Sequence, residues 1–311
     1  MRADKTDFVS RFLDAVGRPC QEGVFLKNYS NFKVGGRADY FFDARTEKEL
    51  VNAVHFIKTF SLLYYIIGGG YNILFSDEGF RGLIIQNSIN GLKKDDKKAI
   101  KVKSGTPLKE LVGFCQHEGV GGLEFLAGIP GTVGGAVCGN AGALGCDIGS
   151  LVIDAQVLAE SGKILQVEKK YFSFGYRWSR LKNNKDVLLD VRLQGKSRAQ
   201  EEIKKSIDEN LQTRKRKHPP SGIACAGSYF KNPVLPSGEK LAAAALLDQV
   251  DAKGKKAGDA AVYSGHANFI INQGNAASQD IRRLAGELKQ KVYKKFGIKL
   301  EEEVIFLPAE P

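Results

Sequence analysis

The chain has 311 residues, 43% of them hydrophobic and 26% charged, and a formal charge of +11. That balance excludes a disordered polar chain and leaves room for two or three domains at roughly 100–200 residues each. The longest apolar runs, 62–67 and 241–247, fall short of the ~20 residues of a membrane helix, and residues 1–10 lack the apolar segment of a secretory signal.

In chain order, the first ~85 residues read as a small α/β region. Glu47–Thr59 has the spacing of a helix, with Leu50, Val51, Val54 and Ile57 three and four apart. Thr46 is its natural N-cap, and Glu47 and Glu49 suit the positive end of the helix dipole. Tyr64–Ile67 is a short apolar strand that runs into Gly68-Gly69-Gly70. Strands are expected at 83–86, 99–102, 152–158 and 187–192, and a helix at 107–116. The stretch from Gly128 to Gly149 is so rich in glycine that turns are expected throughout. Gln200–Arg216 reads as a charged helix ended by Pro219-Pro220. Lys240–Val250 reads as an alanine-rich helix. Ser278–Phe296 places Ile281, Leu284, Leu288, Val292 and Phe296 on one face, with Ser278 as the cap and Gly297 beyond the end.

The five cysteines, Cys20, Cys115, Cys138, Cys146 and Cys225, are odd in number and form no C-x-x-C pair. Free thiols in a reducing cytoplasm are expected, and no metal site. Positive charge collects in three places: six lysines in 93–103, the run Arg214–Lys217, and seven Lys or Arg in 282–299. Such patches suit an acidic partner or a polyphosphate ligand, or simply a solvated surface. No zinc-finger, RNA-recognition or helix-turn-helix signature accompanies them.

Glycine is the outlier of the composition, and it concentrates between Gly119 and Gly149. The centre of that stretch is GIPGTVGGAVCGNAGA (128–143); a second turn, GGGYN, lies at 68–72. Glycine lets a backbone approach a ligand closely, and successive main-chain N–H groups in such turns form an anion nest. Two nests suit a ligand with a pyrophosphate and an extended body. Neither turn is followed by the Gly-Lys-Ser/Thr of a P-loop, and neither has the G-x-G-x-x-G of a dinucleotide fold. A dinucleotide held by a different fold is therefore expected.

Seven segments, in order over nearly the whole chain, carry a family resemblance: NFKVGGRADY (31–40), GGGYNIL (68–74), GIPGTVGGAVCGNAGA (128–143), GYRWS (175–179), AGSYFKNP (226–233), HANFIIN (266–272) and LEEEV (300–304). With them the chain resembles the UDP-N-acetylenolpyruvoylglucosamine reductase family, flavoenzymes of bacterial peptidoglycan synthesis and so of cell-wall biogenesis, cell shape and division. The resemblance implies an α+β fold of three domains. Two form an FAD-binding module of the vanillyl-alcohol-oxidase type, at 1–85 and 86–198, with a C-terminal strand at 300–311 returning to the first. The third, 199–299, takes the sugar nucleotide. The short interval between AGSYFKNP and LEEEV implies the compact subclass, without the extra substrate-covering insertion. Three positions depart from the family pattern: Tyr71 stands where Ser or Thr is usual, Cys138 where a larger residue is common, and His218-Pro219 replaces Gln-Pro.

By the same resemblance, non-covalent FAD is held by Gly68, Gly69, Gly70, Tyr71, Asn72, Ile73 and Leu74, and by Gly128, Ile129, Pro130, Gly131, Thr132, Gly134, Gly135, Ala136, Asn140 and Gly142. The family reaction reduces the enolpyruvyl double bond to a lactyl ether. NADPH reduces FAD, flavin N5 delivers hydride to C3, and charge develops towards the neighbouring carboxylate. Arg177 matches the family's arginine, a guanidinium able to bind that carboxylate through two hydrogen bonds. Ser228 matches the donor of the proton to C2. Glu303 matches the family's acid, with Glu301 and Glu302 beside it as alternatives of register. Tyr176, Lys217, Asn232, Lys253 and His266 match residues that hold the sugar nucleotide. A cytoplasmic monomer is implied, with a UDP-sugar and NADPH as its partners and neither nucleic acid nor a stable membrane association. The competing readings are another FAD-dependent oxidoreductase on the same fold, and a basic nucleic-acid-binding protein without a chromophore.

Overall fold

A computed structural model describes residues 5–60, 62–95 and 98–308, with the side chains of Lys5 and Thr6 excepted. What the sequence suggests for residues 1–4, 96–97 and 309–311 lies outside them. Eight helices are described: α1 (Lys5–Val16), α2 (Glu47–Thr59), α3 (Leu108–His117), α4 (Val133–Gly139), α5 (Ile148–Leu151), α6 (Gln200–Lys217), α7 (Ala243–Asp248) and α8 (Ser278–Phe296). Helices and largely antiparallel sheets give the α+β class expected from the sequence. No helix among the described residues is long and apolar enough to cross a membrane.

The chain divides into two compact units. The first comprises residues 1–22, 40–69 and 82–213; the second comprises 23–39, 70–81 and 214–311.

The first unit has two hydrophobic cores. One joins α1 and α2 to the strand segments Tyr40–Ala44 and Gly82–Asn87, with Tyr64–Ile67 pairing parallel to Leu83–Gln86. Phe8, Phe12, Phe42 and Phe56 pack there as edge-on and stacked rings, a stabilising aromatic geometry. The Thr46 side chain accepts from the Glu49 N–H while the Glu49 carboxylate accepts from the Thr46 N–H, which fixes the start of α2.

The other core surrounds an antiparallel sheet of five strands, ordered Ile164–Glu168, Val152–Leu158, Val187–Gln194, Ala99–Lys103 and Leu92–Lys94. Val187–Gln194 opens on the apolar run Val187–Leu189, and both its faces are covered. Leu189 joins the first core, while Leu188 and Val191 join the second.

The second unit packs α7 and α8 on a short antiparallel sheet ordered Ala224–Cys225, Ile270–Asn272, Ala260–Val262 and Lys256–Ala257. Ile281, Leu284, Leu288 and Val292 of α8 are fully buried, as the spacing predicts. Ile305–Leu307 pairs parallel with Ile73–Phe75, bringing the last described strand to the segment that follows the first glycine turn.

Four local expectations are corrected. Gly128–Gly149 is not turns alone, since it contains α4 and α5. The Thr132 side chain caps α4, and the glycines let it approach neighbours, a Cβ at Gly134 being only 2.9 Å from the Ser104 carbonyl oxygen. The helix expected over 240–250 shrinks to Ala243–Asp248, because Leu241 donates its N–H to Pro233 and Asp251 turns left-handed at φ 51°. Ser278 does not cap α8. Ala277 takes that position, its N–H held by the Asp280 carboxylate, while the Ser278 hydroxyl donates to Asp77 at 2.8 Å. The helix expected from Pro107 begins at Leu108, with the proline as its N-cap.

All five cysteines are free thiols, and burial pushes Cys20 and Cys115 up to about 12.

Candidate active site

The glycine segments of the first unit meet each other. A methyl group on Gly68 would collide with the Thr132 hydroxyl, so the 68–69 corner lies directly against the start of α4. Around Thr132 the main chain is tied down: Val133 N–H donates to Thr106, Gly134 N–H to Ser104, and Leu108 N–H to Gly131. Gly69, Gly128, Pro130 and Gly135 remain exposed. Gly131 sits at φ 129°, where L side chains rarely fit, and a Cβ there would meet nothing within 4 Å. This is an exposed backbone shelf clear of side chains, and it has room for the pyrophosphate of FAD. Residues Gly68–Gly69 and Gly128–Gly135 would hold the cofactor there. Asn140 and Gly142, also expected at the cofactor, occupy packed positions. Asn140 is 5% exposed and Gly142 abuts Cys146 and Asp147.

Asn140 is tied to main-chain groups on both sides. Its side chain accepts from Gly149 N–H and donates to the Gly175 carbonyl, both at 2.9 Å. Ser179 donates to the Cys138 carbonyl at 2.7 Å. These two bonds fasten the GYRWS turn to the end of α4. Gly175 and Trp178 close the turn with reciprocal main-chain bonds, which leaves Tyr176 and Arg177 at its tip. Arg177 is held at φ 54° and Lys182 donates to its carbonyl. A non-glycine residue in the left-handed region costs about 1–2 kcal/mol and clusters at functional sites. The guanidinium stacks over the Tyr176 ring at 5.4 Å.

The remaining candidates gather in the second unit. Gly70 closes the turn 70–74 with its carbonyl on Asn31 N–H, while Ser30 donates to the Ile73 carbonyl. A side chain at Gly70 would strike the Tyr29 carbonyl. Tyr71, one departure from the family pattern, is exposed, and Ile73 and Leu74 are buried in the strand. Asn72 donates to the Glu303 carbonyl at 2.9 Å, and Glu303 N–H donates to the Tyr229 carbonyl at 2.8 Å. Ser228 therefore directly precedes the residue whose carbonyl Glu303 bonds. It is half-buried and follows Gly227 at φ 76°.

Glu301 is at the surface in an ion pair with Lys231, and Glu302 is engaged by Lys289 and the Tyr229 hydroxyl. Asn232 holds α7 in place, its side-chain oxygen accepting from Ala243 N–H at 3.0 Å.

Lys217, His218, Lys253 and His266 converge. Burial lowers His218 to about 4, with Arg214, His266 and Lys217 adding to the effect. Burial lowers His266 as well; Lys253 and Lys217 add to this and Asp248 opposes it. Both imidazoles are therefore neutral at pH 7, and both ring systems pack on Phe269. Lys253 makes an ion pair with Asp248 at 3.0 Å. The cluster is a cationic rim around two neutral rings. His218, Arg214 and Asp248 were not singled out in the sequence as ligand residues. Nor was Asn268, whose place in HANFIIN is the only signal it gives.

Residues 218–307 match the family described as the UDP-N-acetylenolpyruvoylglucosamine reductase C-terminal domain, and residues 38–168 match an FAD binding domain. The chain is 37% identical over 290 residues to the UDP-N-acetylenolpyruvoylglucosamine reductase of Chlamydia trachomatis serovar A, covering 93% of this chain and 96% of that protein. It is 36% identical over 284 residues to the enzyme of that name from Clostridioides difficile, covering 91% of each. Among solved structures, the UDP-N-acetylenolpyruvylglucosamine reductase of Thermus caldophilus matches with a TM-score of 0.76 and 32% identity, over 92% of this chain and 98% of that one. With the glycine shelf, the strained arginine and the Tyr229–Glu303 main-chain bond in place, these likenesses settle the family: the chain is an FAD-dependent oxidoreductase and belongs to the UDP-N-acetylenolpyruvoylglucosamine reductase family.

Proposed function

We propose that the enzyme reduces UDP-N-acetylenolpyruvoylglucosamine to UDP-N-acetylmuramate with NADPH, as a cytoplasmic monomer supplying peptidoglycan synthesis. The observation that carries this reading is the grouping, within one unit, of a cationic rim with the paired Ser228 and Glu303 segments. The rim suits a diphosphate, and the paired segments suit proton transfer at the far end of the same ligand.

Bound at the glycine shelf, FAD would supply the hydride chemistry that couples NADPH to C3 of the enolpyruvyl group. Negative charge then builds next to the substrate carboxylate. Arg177 holds that carboxylate, and its permanent charge is worth more as the charge grows. Ser228 gives its proton to C2, and Glu303 assists at the carboxylate and in proton supply. Lys217, Lys253 and His266 hold the nucleotide, with Tyr176 and Asn232 beside the sugar. Residues 1–85 and 86–198 serve the cofactor, and 199–299 the sugar nucleotide.

Stopped-flow reoxidation of the reduced, FAD-loaded enzyme by the enolpyruvyl sugar nucleotide tests the reading. Rapid reoxidation is expected from that substrate alone; a reduced flavin indifferent to it would point instead to another oxidoreductase on the same fold. Ser228→Ala should keep FAD and substrate and lose reoxidation by several orders of magnitude, about the 10²–10⁴ assigned to a positioned acid or more.

A further inference from the structure

We infer that Asn268 is the positioning residue that sets the Ser228 hydroxyl in place. The inference rests on the proposed role of Ser228 and deepens it. Ser228 lies outside any regular strand, so nothing in the sheet fixes its main chain. Asn268 supplies the missing partner. Its side-chain nitrogen donates to the Phe230 carbonyl at 2.9 Å, and its side-chain oxygen accepts from the Phe230 N–H at 2.9 Å. Its own carbonyl accepts from the Tyr229 N–H at 2.8 Å. One residue thus satisfies three main-chain groups in the two positions after Ser228. The same segment receives the Glu303 N–H on the Tyr229 carbonyl. The Asn268 N–H in turn donates to His266 Nδ1 at 3.2 Å, so the bracket reaches the cationic rim.

Asn268 is 3% exposed, and Phe230 and Tyr229 are each 1% exposed. No water can replace a lost bond there. An amide is the side chain that matches one N–H and one C=O at once. Aspartate keeps the acceptor and turns a second oxygen on the Phe230 carbonyl; alanine leaves both groups unpaired.

The test is a double-mutant cycle between Asn268→Asp and Ser228→Ala in the FAD-loaded enzyme, read by single-turnover reoxidation. Asn268→Asp should keep its FAD, be reduced by NADPH at the normal rate, bind the sugar nucleotide within about threefold and reoxidise about 100-fold more slowly, the scale of a ~1 Å misplacement. In the Ser228→Ala background the same change should cost little, since the group it positions is already gone. An equal loss in both backgrounds overturns the inference, as does wild-type reoxidation of Asn268→Asp. Asn268→Gln, which retains both amide functions on a longer arm, should fall between the two enzymes. Failure of both variants to fold would assign Asn268 to the core alone and overturn the inference as well. Near-normal turnover of Ser228→Ala would instead remove the serine from the mechanism, a separate and recognisable result.

Discussion

The side chain of Asn72 donates to the main-chain carbonyl of Glu303 across a sequence separation of 231 residues. The first glycine turn and the acidic segment are therefore one piece of structure. Removing the donor leaves a half-buried carbonyl without its amide. Asn72→Ala should lose about 1 kcal/mol of stability. Thermal melting checks this, and turnover should fall more than flavin content, because Glu303 is the group displaced.

Gly68 leaves no space for a side chain beside Thr132. Gly68→Ala should therefore weaken flavin retention, read as the ratio of absorbance at the flavin band to that of the protein. Pairing it with Thr132→Ala removes the clash and should restore part of the flavin. The double variant still pays for the lost cap of α4, at about 1 kcal/mol. Equal flavin loss in the single and double variants would show that the Gly68 methyl meets the cofactor rather than the threonine.

Arg177 occupies a left-handed position that glycine fills without strain. Arg177→Gly should melt within a few degrees of the parent, because relief of backbone strain offsets the entropy glycine adds to the unfolded chain. Its turnover should fall by at least about 100-fold, the usual cost of removing a group that stabilises developing charge. Unchanged turnover would assign the strained turn to folding rather than to chemistry.

His218 is held at about 4, against about 6.5 in an unfolded chain. Between those values the unfolded chain binds the extra proton and the folded chain does not. Stability is fully present above pH 6.5 and drains away as pH falls towards 4. For a half-buried ring screened by solvent the loss is on the order of 1–2 kcal/mol. His218→Gln removes the titrating group, so denaturant midpoints measured from pH 7 to 5 should decline less steeply in the variant than in the parent.

Much of this was legible in the sequence, for reasons specific to each element. Glu47–Thr59 and Ser278–Phe296 were readable because their apolar residues repeat at helical spacing and their ends are marked. Val152–Leu158 was readable as a short segment rich in Val, Ile and Leu, the composition of a strand. By contrast, α4 was hidden, because Val133–Gly139 has the composition of a turn and is helical only through its cap and its close packing on Ser104. The roles of Asn140 and Asn268 were hidden for a different reason. Each acts through main-chain groups far away in sequence, and a single asparagine leaves no periodic trace.

The parallel pairing of Ile305–Leu307 with Ile73–Phe75 fixes an order of events during synthesis. Residues 73–75 are made well before Ile305–Leu307 and stay without their strand partner until that segment follows. A nascent chain interrupted before Ile305 carries every glycine of the flavin shelf and still lacks the strand that holds Asn72 and its neighbours in register. Completion of the strand pair at 73–75 is in this way tied to translation through Leu307.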